Sequence, residues 1–182
     1  MKMIKASQLS HWLSIYILYR KAFPRYERKP FSLIYSMYKK KKTDVWYFEK
    51  DGHFAGFAVT INSTKAILID YLAIAADKRG LGIGSDILKQ LQTHYAPIGI
   101  FVEIESVFCD VENLKERQRR KQFYLNNGMI PMEVMVVLFG VEMELLGLGC
   151  KLNFQEYFSI YYENFGEIAA KNVKEAVYPE IV

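Results

Sequence analysis

The run Arg79-Gly80-Leu81-Gly82-Ile83-Gly84 constrains this chain more than any other stretch. An apolar segment, Ile67-Leu68-Ile69-Asp70-Tyr71-Leu72-Ala73-Ile74, precedes it and reads as a strand. Ser85 to Tyr95 follows it, is amphipathic, and reads as a helix. A glycine-rich turn between strand and helix exposes several backbone N–H groups. It also directs the positive end of the helix macrodipole at whatever binds there. Such a turn is an anion site, and the anion it suggests is a pyrophosphate.

Three glycine patterns compete for that reading. A P-loop needs Gly-Lys-[Ser/Thr] at its end, and Ser85 rather than Lys follows Gly84. A dinucleotide fingerprint needs a third glycine, which would fall at Ser85 or at Ile87. Glu105, an acid at the end of the next strand, keeps that reading open. The third pattern, [Gln/Arg]-x-x-Gly-x-[Gly/Ala], is met at every position from Arg79 to Gly84.

The rest of the chain supplies context for the turn. Gln8 to Lys21 has helical spacing through Leu9, Trp12, Leu13, Tyr16 and Ile17, with Ser7 as the expected N-cap. Pro30 stands where a second helix would start, with Phe31, Ile34 and Tyr38 on one face. Asp44–Glu49 and His53–Ile61 read as strands joined by an Asp51-Gly52 hairpin turn. Lys65–Ile74 is the third strand of that meander and Ile98–Glu105 a further strand. A charged helix over Leu114–Asn126 ends at Asn127-Gly128, where Gly128 supplies a left-handed cap. Strands near Glu133–Phe139 and Val141–Leu148 follow, and Phe154–Val177 is expected to be helical. This order predicts an α/β (α+β mixed) domain, with a mixed sheet flanked by helices.

Composition narrows the function classes. The 182 residues suit one domain, and the net charge of +4 is mild. Its basic parts, Lys39-Lys40-Lys41-Lys42 and Lys115 to Lys121, form no stripe interleaved with aromatics, so nucleic acid is not an expected partner. Cys109 and Cys150 make no disulfide framework, and no Cys/His cluster has metal-ligand spacing. Met1-Lys2-Met3-Ile4-Lys5 has no apolar core of a signal peptide. Val134–Leu148 is too short to span a membrane and carries Glu142 and Glu144 in strand alternation. A cytoplasmic chain with no metal and no membrane partner is expected.

Further motifs surround the turn. Gln122-Phe123-Tyr124-Leu125-Asn126-Asn127-Gly128-Met129 lies downstream, Phe101-Val102-Glu103-Ile104-Glu105 between, and Phe23-Pro24-Arg25-Tyr26-Glu27-Arg28-Lys29-Pro30 upstream. Together with Asp70-Tyr71-Leu72-Ala73-Ile74 and the glycine run, they resemble the GNAT superfamily of N-acetyltransferases, in particular small bacterial members. Met129 stands where Phe or Tyr is usual in that family. Arg117 takes a position, seven residues before Tyr124, where Asn is frequent. Whether Arg117 and Arg120 touch a cofactor is left open, with a charged helix face as the alternative.

The resemblance implies a central, mostly antiparallel sheet, splayed between the strands ending at Ile74 and starting at Ile98. It implies one GNAT-like domain over 1–182: acceptor-side helices and first strands in 1–64, an acyl-CoA core in 65–130, and strands with a tail in 131–182. It further implies direct acetyl transfer from acetyl-CoA to a primary amine of a small molecule or peptide, by a monomer or homodimer. A non-catalytic acyl-CoA sensor is the alternative.

Residue by residue, backbone N–H groups of Gly80, Leu81, Gly82, Ile83 and Gly84 would cradle the pyrophosphate. Arg79 would add charge, or be merely solvated; Ser85 would add a hydroxyl, or cap the helix. In the family, main-chain groups matching Leu72, Ala73 and Ile74 hold the pantetheine arm and polarise the thioester. The Tyr matching Tyr124 is the family's general acid, whereas position alone would make Tyr124 a core residue. Glu103 and Glu105 share a strand face with Phe101 by the period of two, and either would take a proton from an amine. The competing reading pairs them with Arg117, Arg119 or Arg120. Asp70 is a third candidate base, its direction dependent on any bulge in its strand. On the acceptor side the family analogy nominates Tyr26, Glu27, Tyr35 and Tyr38.

Overall fold

A computed structural model of the chain describes residues 1–109 and 111–178. The last four residues of the expected 131–182 segment lie outside the described residues. The elements are β1 (Lys2–Lys5), α1 (Leu9–Ala22), α2 (Phe31–Lys39), β2 (Thr43–Lys50), β3 (His53–Ile61) and β4 (Ile67–Ile74). A 3₁₀ turn (Ala76–Lys78), α3 (Ile83–His94), β5 (Ile100–Glu105) and α4 (Leu114–Asn126) come next. β6 (Ile130–Leu138), β7 (Val141–Leu148), α5 (Phe154–Phe165), α6 (Glu167–Ala170) and β8 (Val173–Ala176) complete the order.

The strands form one open, mixed, eight-stranded sheet in the order β1-β2-β3-β4-β5-β7-β6-β8. β1–β2, β2–β3, β5–β7, β6–β7 and β6–β8 pair antiparallel. β4 pairs with β5 in parallel through Ile67↔Ile100 and Leu68↔Phe101 alone. The chain forms two compact units: Met1–Asn62 with Ile69–His94, and Ser63–Leu68 with the residues from Tyr95 onward.

In the first unit the expected hairpin is present. Asp51 (φ 52°) and Gly52 (φ 77°) both take left-handed backbone, as a two-residue turn requires if it is to match strand twist. Ile15, Leu18, Tyr19, Ile34, Val45, Phe57, Val59 and Tyr71 bury one core between α1, α2 and the strands. α3 adds Ile83, Ile87, Leu88 and Leu91 on its buried face. In the second unit Phe101 meets Tyr157 of α5 edge-on at 6.2 Å, and Leu145, Leu146, Met135 and Val136 are buried.

Three expectations need correction. β1 was not foreseen, because four residues carry too little alternation to register; it is held at the sheet edge by pairing with β2. Ser7 does not cap α1, whose N-cap is Gln8 with no side-chain bond to the helix. The tail is not helical throughout. Gly166 (φ 83°) ends α5, and after the single turn of α6 the chain extends into β8, pairing Val173 with Leu138. That strand is fixed by a ladder partner, which no local periodicity reports. Conversely, the Asn153 and Glu156 capping box that starts α5 stands in the sequence as Asn-x-x-Glu.

Candidate functional site

The glycine turn joins β4 to α3 within the first unit. Gly80 (φ 77°) and Gly82 (φ 75°) both hold left-handed backbone, which costs an L side chain about 1–2 kcal/mol at each. A Cβ at either would meet nothing within 4 Å, so it is backbone angle and not protein packing that requires glycine. Gly80, Leu81 and Gly82 are exposed, Leu81 at 61 %, while Ile83 is buried as the first anchor of α3. Gly84 and Ser85 lie in the first turn of α3 and are partly exposed. Five residues thus reach solvent around the N-terminus of a twelve-residue helix.

Two details differ from the expectation. Arg79 does not simply extend into solvent: its Nε donates to the Ile74 carbonyl at 3.3 Å. The Ile74 carbonyl, expected to be free for the pantetheine arm, therefore already has a donor. The main chain of Leu72–Ile74 is itself shaped by a residue the sequence did not single out. A Cβ on Gly56 of β3 would lie 2.5 Å from the Ala73 carbonyl oxygen, so only glycine lets β3 approach β4 this closely.

The three candidate carboxylates have unlike surroundings. Asp70 on β4 has a side chain 5 % exposed, and its Oδ1 accepts from Lys29 Nζ at 2.6 Å. Its Oδ2 is buried and has no partner among the described residues. Glu103 on β5 accepts from Tyr157 Oη at 2.8 Å and from Tyr161 Oη at 3.0 Å, both on α5. Glu105 is the ion pair foreseen as the competing reading: Arg117 Nη2 donates to it at 2.9 Å and Arg120 Nη1 at 3.2 Å. Each of the three guanidinium nitrogens of Arg117 has a partner in the protein, with Nε on Asn113 Oδ1 at 2.9 Å and Nη1 on the Ser106 carbonyl at 3.1 Å. Arg117 therefore ties α4 to the end of β5.

Tyr124 lies on α4 and packs edge-on against Phe123 at 5.2 Å. Its hydroxyl makes no hydrogen bond among the described residues. Burial pushes its phenol up to about 12, with Arg120 acting in the opposite sense. At neutral pH it is a protonated acid. The helix that carries it ends in a complete Schellman motif: Met129 N–H donates to the Tyr124 carbonyl at 3.1 Å and Gly128 N–H to Leu125 at 3.0 Å. Gly128 (φ 83°) is the left-handed cap expected from the sequence.

The nominated acceptor-side residues fare differently. Tyr26 is 86 % exposed and Glu27 is exposed on the same loop. Tyr35 packs edge-on against Trp12 at 5.1 Å, and with Leu9, Phe31, Ser7 and Ser32 these two line a groove of about 490 Å³. Tyr38 points inward: its hydroxyl donates to the Ala6 carbonyl at 2.7 Å, so its polar end is spent on the fold. Cys109 donates to Glu142 at 3.1 Å and that carboxylate holds its thiol above the ordinary range; burial does the same to Cys150. Neither is poised as a thiolate nucleophile. Among the described residues no group of three or more His, Cys, Asp or Glu could hold a metal ion. No helix of the described residues is long and apolar enough to cross a membrane.

An open mixed sheet with a two-glycine turn leading from a central strand into a helix is the architecture of the acyl-CoA N-acyltransferase fold. Residues 41–128 match the family model of the acetyltransferase (GNAT) domain. Its fold is similar to that of a GNAT-family protein from Bacteroides thetaiotaomicron: TM-score 0.75, 16 % identity, covering 93 % of this chain and 99 % of that one. It is also similar to an aminoglycoside 6'-N-acetyltransferase complexed with coenzyme A, with TM-score 0.65, 12 % identity and coverage of 81 % and 96 %. The ribosomal-protein-S18-alanine N-acetyltransferase of Escherichia coli has TM-score 0.60, 13 % identity and coverage of 84 % and 95 %. At these identities the likeness is one of fold. No curated protein sequence matches the chain.

Proposed function

We propose that this protein transfers an acetyl group from acetyl-CoA directly to a primary amine of a small molecule or a peptide. The observation that carries the reading is the exposed turn Gly80–Gly84, built on two left-handed glycines at the N-terminus of α3, inside the matched GNAT segment. In this reading residues 1–182 act as one GNAT-like domain. Backbone N–H groups from Gly80 to Gly84 bind the pyrophosphate, aided by the α3 dipole, and Ser85 contributes from the first helical turn. Main-chain groups of Leu72 and Ala73 hold the arm of the donor and polarise its carbonyl, with Gly56 keeping that strand in place. Arg79 contributes chiefly by tying Ile74 to the turn.

Tyr124 gives its phenolic proton to the departing thiolate as the nitrogen–carbon bond forms and the carbon–sulfur bond breaks. The amine's proton goes to a carboxylate, and the assignment that best fits the geometry is Asp70. A base needs an oxygen free to take the proton. Asp70 Oδ2 has no partner among the described residues, whereas both oxygens of Glu105 are bound by guanidiniums and both of Glu103 by phenols. Glu103 and Glu105 then supply fixed negative charge. Tyr26 and Glu27 face the acceptor from the loop before α2, and Tyr35 from the groove beside it. Two free thiols suit a reducing cytoplasm.

The test is to titrate acetyl-CoA by calorimetry and follow thiol release with spermidine, kanamycin and a peptide with N-terminal alanine. Binding with amine-dependent thiol release is expected. Binding without release across a broad panel would make the protein an acyl-CoA sensor, and no binding would overturn both readings.

A further inference from the structure

The loop from Pro24 to Pro30 has little internal structure. Its own main-chain bonds are Glu27 N–H to the Pro24 carbonyl at 3.1 Å and Arg28 N–H to Arg25 at 3.4 Å. Yet Lys29 is gripped at three points. Its amide N–H donates to Tyr71 Oη at 3.0 Å, its carbonyl accepts from Tyr19 Oη at 2.9 Å, and its ammonium donates to Asp70 Oδ1 at 2.6 Å. Tyr71 Oη turns the same contact into a second tie by donating to the Glu27 carbonyl at 2.9 Å. The ammonium also lies 5.4 Å from the centre of the Tyr71 ring.

The clasp is rigid on its anchoring side. Tyr19 and Tyr71 are buried core residues, their rings edge-on at 4.9 Å, and Phe23 packs against Tyr71 at 4.9 Å. Burial pushes both phenols up, Tyr71 to about 12, so both remain donors at any pH the fold meets. Asp70 and Tyr71 are consecutive on β4 and hold the side chain and the main chain of one loop residue. The contacts thus couple the position of Tyr26 and Glu27 to the strand that carries Asp70.

We propose that Lys29, held by Tyr19, Asp70 and Tyr71, is a positioning residue that fixes the Pro24–Pro30 loop as a wall of the acceptor site and so sets acceptor affinity. This rests on the acetyltransfer reading above. Lys29 touches neither the acetyl donor nor the amine acceptor in that reading. It acts through the loop and through the orientation of the Asp70 carboxylate, whose second oxygen it leaves unoccupied.

Tyr71→Phe is the decisive variant, because it removes both hydroxyl ties, keeps the ring, and leaves no charge unpaired. Steady-state kinetics with spermidine, kanamycin and the alanine peptide should show the acceptor KM raised about 5- to 10-fold, with kcat within about twofold and acetyl-CoA affinity unchanged. Trypsin should cut after Arg25 and Arg28 faster by a similar factor, read by mass spectrometry. Lys29→Met, which also strips Asp70 of its cation, should raise the acceptor KM and lower kcat as well, and Lys29→Arg, which keeps a cation for Asp70, should restore both. Unchanged KM in Tyr71→Phe overturns the positioning role, whether or not cleavage is faster. An equal loss of acetyl-CoA affinity overturns it too, since a general loosening would explain both. Wild-type protein that turns over none of the amines overturns the acetyltransfer reading and the positioning role together. A wild type that turns over, with a variant of matching KM, overturns the positioning role alone.

Discussion

The two units satisfy their carboxylates in opposite ways. In the second, Glu103 and Glu105 are completed from outside their strand, by two phenols of α5 and two guanidiniums of α4. In the first, Asp70 has one ammonium, and its other oxygen is buried without a partner among the described residues. A buried acceptor without a donor costs about 1–3 kcal/mol, so a fold keeps one only where something else offsets the cost. The contrast teaches that acids of similar appearance along a sequence divide into those whose two oxygens are both bound by side chains and one that keeps an oxygen without such a partner among the described residues.

The largest expected effects test that division at the chemistry. Asp70→Asn should lower turnover about 100-fold or more with acetyl-CoA affinity unchanged, whereas Glu105→Gln should lower it no more than about threefold. The reverse order, measured by thiol release, would break the comparison and return the base to β5. Tyr124→Phe should also cost about 100-fold in a chemistry-limited assay. Since the Tyr124 phenol is protonated below about 12, no falling limb from this group should appear between pH 7 and 10. A limb centred near 10 that vanishes in Tyr124→Phe would contradict the burial of that phenol.

Smaller effects concern the scaffold under each carboxylate. Gly56→Ala places a Cβ 2.5 Å from the Ala73 carbonyl and should destabilise by about 1–3 kcal/mol, seen as a lowered Tm, with weakened acetyl-CoA binding. Gly128→Ala, in the second unit, meets only ordinary contact and should cost about 1–2 kcal/mol through its φ of 83° alone, leaving acetyl-CoA affinity intact. The smallest effect belongs to the thiols. Their raised pKa predicts that iodoacetamide at pH 7.5 alkylates Cys109 and Cys150 more slowly than a free cysteine, with activity tracking neither rate.

Much of this architecture is legible along the chain because its determinants are local. The glycine turn, the Asp51-Gly52 hairpin, the helix from Leu114 to Asn126 and its Gly128 cap are each set by residues within one turn or one strand of themselves. The shared face of Glu103 and Glu105 follows from strand pleating alone. What each carboxylate touches does not. Glu103 meets Tyr157 and Tyr161 across 54 and 58 residues, Asp70 meets Lys29 across 41, and Gly56 is required by the Ala73 carbonyl of the next strand. The i, i+4 spacing of Tyr157 and Tyr161 marks a common helix face but names no partner. Backbone geometry and short-range periodicity were therefore determined by the sequence itself, since steric and hydrogen-bonding rules act over a few residues. Which acid is neutralised and which keeps a free oxygen was decided by the tertiary structure alone. A carboxylate's role depends on the donors and dielectric that packing brings to it from distant parts of the chain.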